Sequence, residues 1–147
     1  MHDEIRAIFE QAGCEGALLV QPRDATYPDT ETTATSSPAE FGLRADEPVI
    51  PSAEACARVR AVMAKQLTRN RLASAFRPPV RVAAKSGSLM GIVRNEIGVV
   101  TYLDGHRYAA AVFTRSQPGA DEGAISPAIG AAAARAVAVL SGDHPMR

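Results

Sequence analysis

Asp104-Gly105 stands between two apolar runs, Ile92 to Tyr102 and His106 to Thr114, and a third run, Val80 to Lys85, lies one short turn upstream. Asp-Gly flanked by apolar segments is a hairpin signal, because glycine accepts the positive φ that a two-residue type I′ turn demands. Strands joined by short connections pair antiparallel, since a parallel pair needs a crossover of a dozen or more residues. The reading is three consecutive strands over these runs, with a turn at Ser86 to Gly91. That meander excludes a doubly wound parallel sheet.

Such a sheet must cover its apolar face, and three segments carry helical periodicity. Ile5, Ile8, Phe9 and Ala12 share one face of a helix over Asp3 to Ala12, with Asp3 as N-cap and Gly13 as its stop. Ser52 to Arg69 reads as a second helix, with Cys56, Val59, Val62, Met63 and Leu67 as its apolar stripe. Ala124 to Leu140 is an alanine-rich closing helix. Gly16 to Val20 is a short buried strand that Pro22 ends. The fold class is therefore α+β: an antiparallel sheet covered by N-terminal, middle and C-terminal helices. One domain over residues 1–147 accounts for the length.

Residues 22–51 fit no element. They are rich in Thr, Ser, Pro, Asp and Glu, with one helical turn expected at Pro38 to Leu43. An irregular linker of that length is uncommon inside a compact domain.

Composition narrows the function. The net charge is zero, so nothing global draws the chain to nucleic acid or an anionic membrane. Arg58, Arg60, Arg69, Arg71, Arg77 and Arg81 cluster without a nucleic-acid motif and read as a solvated helix face. Cys14 and Cys56 have no metal-ligand spacing and read as small buried residues, with a disulfide between them left open. His2, His106 and His144 are scattered, so no metal is expected, and no cofactor. The first residues, Met-His-Asp-Glu-Ile-Arg, are polar and lack a signal-peptide core, and no run matches a membrane span. The expectation is a soluble chain.

The chemistry concentrates in Lys85-Ser86-Gly87-Ser88. Lys85 offers a cation for a carboxylate and Ser86 a hydroxyl. Gly87 lets a ligand lie along the backbone, and the Ser88 N–H can form half of an oxyanion hole. With Arg94-Asn95-Glu96-Ile97, the Asp104-Gly105 hairpin and Arg107 to Thr114, this stretch closely resembles the C-terminal lobe of class A serine β-lactamases and related serine hydrolases. Asn70 to Phe76 looks like the loop leading into that lobe, and Thr32-Thr33 through Phe41 looks like a degraded helix start upstream. The resemblance implies the α/β lobe of a β-lactamase-like fold in a bacterial family that is largely secreted or periplasmic. It implies Lys85 and Ser88 as catalytic, Ser86, Gly87 and Arg94 as substrate-binding, and a β-lactam or other carboxylate-bearing small molecule as ligand.

The family's nucleophile comes from Ser-x-x-Lys on a helix, where one turn sets the lysine beside the serine. The two lysines here, Lys65 and Lys85, follow Val62 and Val82 at that spacing. Ser-Asp-Asn and Glu-x-x-Leu-Asn do not occur either. In the family these motifs belong to a helical domain inserted after the first strands, so the linker at 22–51 marks where that domain is missing. The expectation is a chain that self-associates or pairs with a helical-lobe partner through the surface so exposed. The alternative function is a non-catalytic ligand-binding or interaction module of the same fold.

Overall fold

Burial alternates along the three consecutive strands, and the alternation identifies one face as the core. The computed structural model describes residues 2–22, 53–89 and 92–142. The elements are α1 (His2–Gln11), β1 (Cys14–Pro22), α2 (Ala53–Met63), a 3-10 turn (Leu72–Ala75), β2 (Arg81–Leu89), β3 (Val93–Thr101), β4 (Arg107–Ser116) and α3 (Glu122–Leu140). The strands form one antiparallel sheet in the order β1-β4-β3-β2. Register puts Val82, Ala84, Gly98, Val100, Tyr108, Ala110 and Val112 on the same face, and all are buried. With a side-chain period of two, that face is the core.

Two helices cover it. α1 contributes Phe9 and the turn after it Ala12, and α3 contributes Ile125, Ile129, Ala132, Ala133 and Ala136. α3 packs on the sheet, on α1 and on the 3-10 turn. Small residues allow the close approach: a Cβ on Gly130 would lie 2.6 Å from the Arg71 carbonyl oxygen and 2.5 Å from Ser74 Oγ. The Asp121 carboxylate caps α3 by accepting from the Gly123 N–H at 2.8 Å, so the helix starts at Glu122 rather than Ala124. By length and composition alone α3 could cross a membrane; here it is the core helix. Glu4 accepts from Arg135 at 2.8–3.1 Å and ties α1 to α3.

Several local expectations are corrected. The Asp104-Gly105 hairpin forms, but not as type I′. Only Gly105 has positive φ, at 89°, and its N–H bonds the Tyr102 carbonyl at 3.1 Å. This is a type I turn followed by a left-handed glycine, the three-residue hairpin. The Tyr102 and Tyr108 rings pack edge-to-face beside it, 5.9 Å apart. The second helix ends at Met63, not Arg69. There the chain tightens into i→i+3 bonds, from Lys65 to Val62 and from Gln66 to Met63. α2 flanks the sheet beside β2 and buries no residue fully; Val59, Val62 and Leu67 of its expected stripe are 58%, 72% and 98% exposed. Cys14 is buried and Cys56 half-buried, and no disulfide joins them. The linker expected over residues 22–51, its helical turn at Pro38 to Leu43 and the stretch Thr32 to Phe41 lie outside the described residues beyond Pro22.

Candidate functional site

β2 is an edge strand, and it does not stop at Lys85. It runs on through Leu89, so Lys85-Ser86-Gly87-Ser88 lies along an open edge rather than in a turn. Pairing with β3 sets Ser86 opposite Glu96, Gly87 opposite Asn95 and Ser88 opposite Arg94. Directly opposed residues share a face. The sheet therefore gathers Ser86, Ser88, Arg94 and Glu96 on the core-facing side and leaves Lys85 on the other.

Lys85 is exposed, and its ammonium donates to the carbonyl of Ser86. The Ser86 N–H points out of the sheet, where Gln66 Oε1 accepts it at 2.8 Å; the Ser86 hydroxyl lies 3.4 Å from the same oxygen. Backbone direction alternates along a strand, so the Ser88 N–H leaves by the same open edge. Among the described residues a Cβ added to Gly87 would meet nothing within 4 Å, which leaves space beside the strand for a ligand. The Arg94 guanidinium is ion-paired with Glu122 at the start of α3.

Beneath the edge lies a polar network that the sequence reading missed. Arg71, taken there as part of a solvated face, is 5% exposed. Its Nη1 donates to Gly87 O at 3.0 Å and Asn95 O at 2.9 Å, and its Nη2 donates to Ser88 Oγ at 2.5 Å. Glu96, 1% exposed, accepts from the Leu72 N–H and from Gln66 Nε2 at 2.9 Å. Burial pulls the Arg71 guanidinium below its ordinary pKa, the Glu96 charge opposes that pull, and Arg94 adds to it. A buried carboxylate near a buried guanidinium is the compensation that burying either one requires. A signal was available: Glu96 precedes Gly98 and Val100 at inward spacing, and a carboxylate at an inward strand position needs a buried partner.

A groove of about 740 Å³ lies at the opposite edge of the sheet, between α1, β1 and α3, lined by Ile5, Phe9, Cys14, Leu19 and Leu140. It holds none of the residues of the β2 edge. Among the described residues no cluster of histidine, cysteine and carboxylate side chains could hold a metal ion.

A profile of the β-lactamase enzyme family matches residues 2–140. The β-lactamase regulatory protein BlaB of Streptomyces cacaoi is 41% identical over 83 residues, which are 56% of this chain and 26% of that protein. The β-lactamase of Sphaerobacter thermophilus is 31% identical, with a TM-score of 0.51 over 60% of this chain and 33% of that one. A PBP-A mutant solved as an acyl-enzyme complex with penicillin G is 24% identical, with a TM-score of 0.53 over 63% of this chain and 34% of that one; that likeness bears on the fold alone. The chain thus spans about a quarter of the regulatory protein and about a third of each of these two structures.

Proposed function

The chain belongs to the β-lactamase enzyme family, and from that premise we propose that it is the carboxylate- and oxyanion-binding part of a serine amide hydrolase that recognises β-lactams. The observation that carries this reading is the open edge of β2. There the Ser88 N–H turns outward beside a glycine with open space around it among the described residues, while the Ser86 N–H is held by Gln66. Lys85 and Arg94 supply positive charge for the ligand carboxylate, Ser86 supplies its hydroxyl, and the Ser88 N–H receives the developing oxyanion. In the reaction a serine Oγ attacks the lactam carbonyl, the C–N bond breaks, the ring nitrogen takes a proton, and water then releases the acyl group. The 147 residues contain no Ser-x-x-Lys, so that serine comes from a segment or chain other than this one.

A second reading, a non-catalytic module that binds the same ligand, is favoured by the 41% identity to a protein described as a β-lactamase regulator. Incubation with benzylpenicillin tests the ligand binding that the two share. The expected result is saturable binding without turnover, abolished in Lys85→Ala, and an unchanged intact mass. A covalent adduct on this chain alone overturns the external nucleophile. No binding at millimolar ligand overturns both readings.

A further inference from the structure

Gly87 and Ser88 share one peptide unit, and its two ends face in opposite directions. The bond is trans, so the Gly87 C=O and the Ser88 N–H are antiparallel in one plane. The carbonyl end meets the buried Arg71, at 3.0 Å from Nη1. The N–H end leaves by the open edge of β2. A cation at the oxygen draws electron density through the C–N bond, which raises its double-bond character and makes the N–H a stronger donor. Because the same Nη1 also holds Asn95 O, and Nη2 holds Ser88 Oγ, the plane is fixed from both strands of the hairpin.

From this geometry we infer that Arg71 is a positioning residue: it orients and polarises the Ser88 N–H toward an anionic oxygen at the β2 edge. The inference rests on the reading of that N–H as an oxyanion donor. Arg71 itself does not touch the ligand. Its Nη atoms are spent on β2 and β3, and among the described residues its Nε is buried without a hydrogen-bond partner. A guanidinium sets one nitrogen on the two carbonyls and a second on the Ser88 hydroxyl, which the single ammonium of lysine does not reproduce.

The test is NMR on the whole chain, uniformly labelled. The wild-type protein should show a through-hydrogen-bond coupling between Arg71 Nη1 and the Gly87 carbonyl carbon. Its Ser88 amide proton should lie downfield, move upfield in Arg71→Gln, and recover only in part in Arg71→Lys. An absent coupling in the wild-type chain overturns the inference, and that measurement does not depend on any variant folding. An unmoved Ser88 amide in a folded Arg71→Gln chain overturns it equally. Benzylpenicillin is then added. Binding that shifts the Ser88 amide, and that weakens about tenfold in Arg71→Gln, as the loss of one hydrogen bond's net contribution would give, supports the inference. Retained coupling with no penicillin binding removes the ligand reading while leaving the polarised peptide established. Equal penicillin affinity in wild-type and Arg71→Gln chains overturns the positioning role.

Discussion

Replacing Glu96 with alanine should destabilise the fold more than removing any exposed charge. The carboxylate is 1% exposed, it holds the Leu72 N–H and the Gln66 side chain, and its charge opposes the desolvation of Arg71. Its loss leaves a buried guanidinium without its counter-charge and a backbone donor without an acceptor. Leaving a buried polar group without its partner costs about 1–3 kcal/mol. Against a total stability of about 5–15 kcal/mol, that is a large share. For a chain of this length each kcal/mol moves Tm by about 2–4 °C, so Glu96→Ala should melt roughly 2–12 °C lower. Chemical denaturation should show the lower midpoint with an unchanged slope. Glu96→Gln, which keeps an acceptor but not the charge, should fall between. The decisive arm is the double variant Glu96→Leu with Arg71→Met. If part of the loss comes from an unpaired buried charge, removing both charges should restore that part and leave the cost of the unpaired Leu72 N–H, and the two single effects should fail to add. A Glu96→Ala chain within about 0.5 kcal/mol of wild type, the usual effect of a surface substitution, would refute the reasoning. Strict additivity in the double variant would refute it too.

Gly130→Val should lower Tm: its Cβ would fall 2.6 Å from the Arg71 carbonyl oxygen, a backbone atom with no room to yield, and overpacking costs about 1–3 kcal/mol. A thermal melt at or above wild type would count against that packing. Arg135 holds the Glu4 carboxyl below its ordinary value of 4.5. A depressed carboxylate stabilises above its unfolded pKa and loses that contribution as pH falls through the folded value. The α1–α3 contact should therefore loosen below about pH 4.5, seen as lower hydrogen-exchange protection factors in α1 relative to the intrinsic rates at each pH, and Arg135→Met should abolish that fall in protection. Leu19, Ile97 and Phe113 are 45%, 47% and 45% exposed on the outer face of the sheet. The chain should self-associate through that face at micromolar concentration, and Ile97→Asp should return it to monomer; sedimentation of the wild-type chain as a clean monomer would refute this.

The sheet was legible because its signals are local. Asp104-Gly105 dictates a hairpin, and short connections dictate antiparallel pairing, whichever turn type closes the loop. α1 and α3 were legible because their apolar positions repeat at helical spacing and meet a sheet. The same logic placed α2 but not the burial of its stripe. Val59, Val62 and Leu67 carry the periodicity of a buried face, yet the described residues leave that face open. Periodicity reports which side of a helix is apolar; it does not report whether anything covers it. The extent of β2 was misread for a related reason. Ser86-Gly87-Ser88 has turn composition, but pairing with Asn95 and Arg94 continues the strand, and tertiary pairing outweighs local propensity there.

The site divides along the same line. Lys85 to Ser88 was legible because four consecutive residues carry the motif. What stands behind them was not, because it is assembled across separations of 16 to 30 residues: Arg71 to Gly87, Arg71 to Asn95, Gln66 to Glu96. No window along the chain holds those pairs. Within the sequence Arg71 is one of six clustered arginines and Glu96 one carboxylate in an apolar strand. Each is costly to bury alone, and each becomes affordable only once the fold sets it near the other. The polar network is thus a product of the fold rather than of any segment. A substitution at Arg71, Gln66 or Glu96 should therefore disturb the β2 edge as much as one within Lys85-Ser86-Gly87-Ser88 itself.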